Sequence, residues 1–256
     1  MISEFPLLVF TVFAGVAAGT YFVTPFFEGV REGGRLKRVA LPLICIVLLG
    51  IGLLGTLAHL QHPERFLNAF VNPTAMIAQE AYWSIAFGVV LVIDLLLSAL
   101  RAAGTPRAVK VVGAVFALGL MVVTGLAYAM NYGVPAWRGW ATFPLFLFGD
   151  IAVGLSLFAA MHEGAYERKT LLAFGAVAEV LLGIALIGFA LQLFEAGEGV
   201  APAVVALVLA PCGALACAIL ARKEGKQARM LAWISFACVL VSIVVARYAF
   251  YAACPF

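Results

Sequence analysis

Long runs of apolar residues, separated by short polar connections, recur along the whole chain. A helix that crosses a membrane needs about 20 apolar residues, and eight runs reach that length. The pattern predicts an all-α polytopic membrane protein, an eight-transmembrane-helix bundle that forms a single transmembrane domain over residues 1–256. The predicted spans cover residues 5–27, 40–61, 79–100, 109–130, 141–161, 171–194, 200–220 and 230–252.

Composition narrows the class of protein further. Of the 256 residues, 65% are hydrophobic and only 11% are charged, against about 25% charged residues in a typical soluble domain. The net charge of +3 is small and the basic residues are dispersed, so a nucleic-acid partner is excluded together with a soluble or disordered chain. A transmembrane β-barrel needs alternating segments of about ten residues, whereas these apolar runs are continuous.

Basic residues lie mainly on one side of the predicted membrane. The connections after the first, third, fifth and seventh spans hold four, three, two and four of the 16 Lys and Arg residues. The opposite side has only Arg65 and Arg138, and Arg247 lies within the last span. Loops rich in Lys and Arg stay in the cytoplasm, so both termini are predicted on the outer, periplasmic side.

Three ionisable residues are predicted near the outer ends of different spans. His59 lies near the end of the second span and Glu80 opens the third. Arg247 lies about 8 Å below the outer end of the eighth, at about 1.5 Å of rise per residue. A neutral histidine accepts a proton near physiological pH, a carboxylate can relay that proton, and an arginine can neutralise the carboxylate. The alternative is an interfacial histidine beside an unrelated structural Glu–Arg pair.

Three further acids, Asp94, Asp150 and Glu179, are predicted deeper in the membrane. Acids at such depths either relay protons or are held by polar side chains of neighbouring helices. The structural interpretation is favoured for all three.

A haem or other metal centre is not expected in this chain. Two facing histidines at one depth would be needed for a haem with two histidine ligands. His59 and His62 are neighbours on one segment, and His162 lies at the opposite face. No CxxC pair occurs, so neither an iron–sulfur cluster nor a zinc site is indicated.

The segment around His59 carries a recognisable motif. It reads GLLGTLAHLQHPERFLNAF, with the pattern His-Leu-x-x-Pro-x-Arg-x-x-Asn, and Glu80 follows as the third span begins. The opening FPLLVFTVFAGVAAG and the closing ARYAFYA extend the likeness. Together they resemble the membrane anchor subunit of the dimethyl sulfoxide reductase family, which also has eight spans with both termini outside.

The resemblance implies an electron-transfer role in anaerobic respiration. Such anchors hold an iron–sulfur subunit and a molybdopterin catalytic subunit on the outer face of the inner membrane of a bacterium or archaeon. They oxidise a quinol, usually menaquinol, and pass two electrons to the nearest cluster. His59 and Glu80 match residues of the family's quinol site, while Arg65 and Arg247 match recurrent positions with a structural or docking character.

The sequence departs from the family pattern beside the motif, where Gln61-His62 replaces a common glycine. The second histidine could share or replace the role of His59. The predicted catalytic residues are His59 and Glu80, and the predicted quinone-binding residues are His59, His62, Arg65, Glu80 and Arg247.

The quinone itself needs an apolar crevice in which its ring and tail can lie. Packing between small residues supplies such a crevice in membrane proteins. Gly15, Ala18 and Gly19 give the first span a small-residue face that is expected to serve this purpose.

Two other classes of function stay open at this point, besides the same quinone site running in reverse. A secondary transporter would have Gly- or Pro-broken helices facing mid-membrane charges. The prolines Pro42, Pro144, Pro202 and Pro211 are expected mostly near span ends, which argues against it. A passive anchor without a quinone site predicts that changing His59 affects only assembly.

Overall fold

The computed structural model describes residues 4–27, 35–60, 62–101, 103–131, 133–223 and 227–254. The secondary structure of these residues is helical, and none of them forms a strand. The helices are α1 Phe5–Phe22, α2 Arg35–His59, α3 Met76–Leu100, α4 Arg107–Ala129, α5 Thr142–Met161, α6 Lys169–Glu195, α7 Ala201–Leu207, α8 Leu215–Lys223 and α9 Ala228–Ala252.

Over the described residues, eight helical segments are long and apolar enough to cross a membrane, so the predicted number of spans is confirmed. Each predicted span coincides with one of them to within a few residues. The seventh consists of α7, a π-helical segment Val208–Ala214 and α8 in succession. Which end of the bundle faces the cytoplasm stays a prediction from the distribution of basic residues.

The two ends of the helical bundle carry different ionisable residues. The end where α2 finishes and α3 begins holds His59 and Glu80, and we call it the His59 end. The opposite end holds Lys37 and Lys110 at the starts of α2 and α4, and we call it the basic end. The His59 end also contains the beginning of α1 and the end of α9.

The helices α1 and α5 form the centre of the bundle. In each of them 78% of the membrane-spanning window is buried inside the protein, whereas the other spans are buried over 28–44%. Their sequences are rich in Gly and Ala, which lets neighbouring helices approach closely. Large aliphatic side chains on the peripheral helices remain exposed, for example Val89 on α3 and Ile184 on α6, and these suit contact with lipid.

The closest approach in the centre joins Gly19 of α1 to Gly154 of α5. A Cβ atom added to Gly19 would overlap the backbone carbonyl of Asp150, and one added to Gly154 would overlap the backbone of Gly19. Ala18 is fully buried as well. The expectation that the small-residue face of the first span lines a quinone crevice is therefore wrong, because α5 fills that face.

Pro211 corrects a second expectation. It lies inside the seventh span, within the π-helical segment, rather than near a span end. Proline lacks a backbone N–H and clashes with the preceding turn, and the wider π turn is one way a helix accommodates such a break. The span nevertheless stays helical from Ala201 to Arg222. Because Pro211 lies at mid-span, the positions of the prolines do not count against the transporter alternative.

Candidate functional site

The last turn of α2 places His59 against the start of α1. One turn earlier, a Cβ atom on Gly55 would lie 2.8 Å from the carbonyl oxygen of Pro6, so the two backbones nearly touch. This close packing brings Nδ1 of His59 to 3.4 Å from Oε2 of Glu4. The His59 side chain is 37% exposed and that of Glu4 is 17% exposed. The His59 side chain is therefore the more accessible member of the pair, and the Glu4 side chain is the more buried one.

Sequence analysis missed Glu4 as a partner of His59. The available signal was an acid directly before the first apolar run, in a segment without a basic residue. Hydrophobic patterning treats such a residue as the polar flank of a helix, because it contains no information on which other helix end lies beside it.

Glu80 lies in the second turn of α3 and points towards α4. Its carboxylate lies beside Thr124 of α4, and its Oε1 is shielded from solvent without a hydrogen-bond partner among the described residues. His59 and Glu80 are thus at the same end of the bundle but have different neighbours, Glu4 and Thr124. Within the part of the chain that the structure describes, this oxygen is an acceptor without a donor.

Arg247 on α9 is almost completely buried and forms an ion pair with Asp150 of α5. Its Nη2 donates to Oδ1 of Asp150 at 2.5 Å, and its Nη1 donates to the carbonyl oxygen of Thr11. The guanidinium also lies 4.6 Å from the centre of the Phe146 ring. The idea that Arg247 neutralises Glu80 is therefore wrong: Asp150 is its acid.

Gly15 explains why Asp150 is the partner of Arg247. A side chain at Gly15 would overlap the Asp150 carboxylate. The glycine leaves space beside α1 in which the carboxylate and the guanidinium meet. The deep acid Asp150 thus belongs to a structural ion pair, in agreement with the interpretation favoured from the sequence.

Two tyrosines lie between Glu80 and this ion pair. The rings of Tyr128 and Tyr251 pack edge to face with centroids 5.5 Å apart, and both tyrosines are close enough to Glu80 and Arg247 for electrostatic interaction. The Tyr251 hydroxyl also donates to Oγ1 of Thr11 at 3.3 Å. A network of buried polar groups therefore runs from α3 and α4 to the centre of the bundle.

Aromatic packing holds this network in place. The indole of Trp137 stacks on the Phe250 ring with centroids 4.9 Å apart, and its Nε1 donates to the carbonyl oxygen of Phe250 at 2.6 Å. Tyr128 stacks on Phe146 at 5.0 Å. The closing Arg-x-x-Phe-Tyr motif of α9 thus has three structural roles. Arg247 forms the ion pair, Phe250 stacks on Trp137, and the Tyr251 hydroxyl bonds to Thr11.

The other predicted quinone-site residues follow α2. His62 precedes a 3-10 helix, Pro63–Val71, and is exposed. Arg65 falls within that 3-10 helix, and its side chain lies outside the described part of the structure. The same short helix exposes Phe66, Leu67 and Val71 at the His59 end.

The two remaining deep acids differ from each other. Asp94 accepts hydrogen bonds from the hydroxyls of Tyr21 at 2.7 Å and Ser98 at 3.0 Å, and also from Thr105. Its surroundings match the structural interpretation. Glu179 is buried, its Oε2 has no hydrogen-bond partner among the residues that the structure describes, and it lines a small pocket of ≈ 20 Å³ together with Ser235.

Among the residues that the structure describes, no group of three or more His, Cys, Asp or Glu side chains is placed to hold a metal ion. The prediction that the chain itself binds neither haem nor an iron–sulfur cluster stays a prediction.

Comparison with known proteins assigns the family. No curated protein matches the chain. The family model for the DMSO reductase anchor subunit (DmsC) matches residues 1–253, which is nearly the whole length. With its eight membrane-spanning helices, the chain belongs to the DMSO reductase anchor subunit family.

Proposed function

We propose that this chain is the quinol-oxidising membrane anchor of a respiratory molybdopterin oxidoreductase in a bacterial or archaeal inner membrane. It would hold an iron–sulfur subunit and a molybdopterin catalytic subunit at the His59 end, and pass two electrons from menaquinol to the nearest cluster. The observation that supports this most directly is the half-exposed His59 beside Glu4, at the same end of the bundle as the unpaired Oε1 of Glu80.

The chemistry of quinol oxidation matches these groups. A quinol that becomes a quinone loses two electrons and two protons, and the protons need acceptors within hydrogen-bond reach of its hydroxyls. His59 in its neutral form accepts the first proton. Glu4, 3.4 Å away, stabilises the resulting imidazolium and takes the proton onward to water.

Glu80 is proposed as the acceptor for the second proton. Its Oε1 is shielded from solvent and unpaired, which costs free energy unless a donor fills the position. A quinol hydroxyl is such a donor. The Thr124 hydroxyl, which lies beside the carboxylate, is proposed to orient it towards the quinol.

The two segments that follow α2 and α4 are proposed to form the rim of this site and the surface that meets the partner subunits. Phe66 and Leu67 in the first segment and Trp140 in the second are exposed large apolar side chains. Arg65 and His62 lie in the same first segment and are proposed to contact the quinone headgroup or the partner.

The test is the rate of quinol-analogue oxidation by the purified complex, with subunit stoichiometry measured on the same sample. His59→Ala is expected to lower the rate about 100-fold or more, in the range that a general base contributes, and His59→Arg to abolish it. Glu4→Gln is expected to slow the reaction less. Glu195→Gln changes an exposed acid at the same end and is the matched control.

An unchanged rate in His59→Ala would overturn the assignment, and a loss in His62→Ala would then move the site to His62. If the complex stays assembled and active in all of these variants, the chain is a passive anchor. Failure of the wild-type chain to retain any redox partner would reject the electron-transfer role and favour the transporter alternative.

A further inference from the structure

A pocket opens between the helix ends at the basic end of the bundle. Its volume is ≈ 40 Å³, and it lies where α2 and α4 begin and where α3 and α5 end. Three cationic side chains line it from two helices: Lys37 and Arg38 from α2, and Lys110 from α4. This pocket is remote from His59 and Glu80 and plays no part in the proposed quinol chemistry.

The charge of the pocket is positive even though one acid lines it. That acid is Asp94, whose oxygens are already bonded by the hydroxyls of Tyr21, Ser98 and Thr105. Of the cations, Lys37 lies 3.9 Å from Glu163, an exposed acid. Exposed ion pairs of this kind contribute little to stability, so an anion that enters can compete with Glu163 for Lys37.

Arg38 supplies the second, independent observation. Its Nε is shielded from solvent and has no hydrogen-bond partner in the described part of the structure. Buried polar groups in proteins nearly always have a partner, so an unpaired one requires an explanation. Guanidinium N–H groups form charge-assisted hydrogen bonds to phosphate oxygens, and a bound phosphate group would satisfy this nitrogen.

The apolar part of the lining indicates what carries the phosphate. Phe27, Leu41 and Phe158 border the cationic side chains, and the neighbouring Leu36 is 87% exposed. Along the same helix, Leu43 and Val47 remain exposed towards the membrane. A free phosphate ion has no apolar group that could contact these surfaces, whereas the acyl chains of a phospholipid would lie along them.

We propose that this pocket binds the headgroup phosphate of an anionic phospholipid, with the acyl chains along the exposed face of α2. Basic pockets between transmembrane helices are known to bind anionic headgroups. Other basic side chains at this end differ from the pocket set: Arg222 and Arg229 are exposed on the surface and do not line it. The lipid would join the starts of α2 and α4 and stabilise the basic end.

The experiment measures lipid retained by the full-length chain, or by its complex, using native mass spectrometry. The protein is offered phosphatidylglycerol, phosphatidylcholine or inorganic phosphate in separate samples. Phosphatidylglycerol is expected to bind and to raise the thermal unfolding temperature, and the other two are not. Arg38→Gln and Lys110→Gln are each expected to weaken its binding about fivefold, as loss of one interfacial charge predicts.

Arg222→Gln is the matched control, because Arg222 is an exposed cation at the same end of the bundle and does not line the pocket. Its binding of phosphatidylglycerol is expected to equal that of the wild type. Should a Gln variant fail to fold, Arg38→Lys keeps the charge and removes the Nε donor, and intermediate binding is expected.

Three outcomes would overturn the proposal. One is equal binding of phosphatidylglycerol by wild type and by the Arg38→Gln/Lys110→Gln double variant. Another is equal stabilisation by inorganic phosphate, which would make this a site for a free anion. The third is an equal loss of binding in Arg222→Gln, which would reduce the effect to general surface charge.

Discussion

Arg247 is a fully buried cation in an apolar bundle, and its contacts make it a structural centre. It joins α9 to α5 through Asp150 and to α1 through the carbonyl oxygen of Thr11. A buried ion pair whose hydrogen bonds are satisfied is tolerated, but removal of one partner leaves an uncompensated charge. The family resemblance matched Arg247 to a recurrent position. Its buried contacts with Asp150 and Thr11 give a physical reason for an arginine there.

Arg247→Gln is therefore expected to destabilise the chain by about 3–5 kcal/mol, the usual cost of breaking a buried pair. Glutamine leaves Asp150 without its cation and the Thr11 carbonyl with a weaker donor. Chemical or thermal unfolding in detergent measures the effect. Arg229→Gln changes an exposed arginine and is the control, with an expected change below about 1 kcal/mol.

The double variant Asp150→Asn/Arg247→Gln separates the pair from the individual side chains. Its loss of stability is expected to be smaller than the sum of the two single losses, because the second change removes a charge that the first left unpaired. Additive losses would show that the two residues do not act as a pair.

Asp150→Asn also tests whether the deep acids carry protons. Because Asp150 is bonded to Arg247 and has a structural role in this fold, quinol oxidation is expected to stay within about tenfold of wild type, which is about 1.4 kcal/mol in the barrier. The assay is the rate per assembled complex, so that loss of folded protein is not counted as loss of activity. A larger decrease would instead support a proton path through the centre of the bundle.

At this scale the sequence predicted which residues are unusual but not which ones meet. His59, Glu80 and Arg247 stood out because each is polar in a membrane segment. Their partners Glu4, Thr124 and Asp150 depend on how helices rotate about their axes. The rotation is decided by packing at positions such as Gly15 and Gly55. A helix that is apolar on all sides has a sequence that contains little information about its rotation.

At the scale of elements, the contact of α1 with α5 is the closest in the bundle. Gly19→Ala or Gly154→Ala would place a methyl group into the backbone of the other helix. Overpacking of a core typically costs about 1–3 kcal/mol, and here the obstructing atoms are backbone, which cannot change rotamer. Both variants are expected to lower the unfolding temperature and to reduce the yield of folded protein.

Gly50→Ala is the matched control for these variants. Gly50 lies within α2, and a Cβ atom at that position would meet nothing within 4 Å. Alanine has the higher helix propensity by about 1 kcal/mol, so no loss of stability is expected there. Equal losses in Gly50→Ala and Gly19→Ala would show that glycine content, rather than the α1–α5 contact, determines the stability.

The lengths and positions of the elements were predictable because the bilayer sets them. Each span must be about 20 residues long whatever its neighbours are, so the apolar runs alone located all eight. The π-helical segment around Pro211 was not predictable in the same way. A proline within an apolar run is compatible with a kink, a break or a π turn, and the packing of α6 against it, with Gly183 beside Pro211, depends on the whole bundle.

For the whole molecule, the charge distribution sets the expected orientation. The start of α1 and the end of α9 lie at the same end as His59, and the basic residues concentrate at the other end. Alkaline phosphatase needs disulfides that form only in an oxidising compartment. Fused after the C-terminus, or within residues 131–140, it is expected to be active, and fused within residues 101–106 it is expected to be inactive.

The reverse pattern of reporter activity would show that the chain has the opposite orientation in the membrane. The proposed side of proton release would then also be reversed. With the His59 end outside, protons from quinol leave to the outer side, next to a partner subunit that receives the electrons there. With the His59 end inside, the same site would release protons into the cytoplasm. A reporter active at residues 101–106 would therefore leave the fold and the His59–Glu4 pair intact but contradict an outward-facing complex, because that complex requires His59 and both termini on one side.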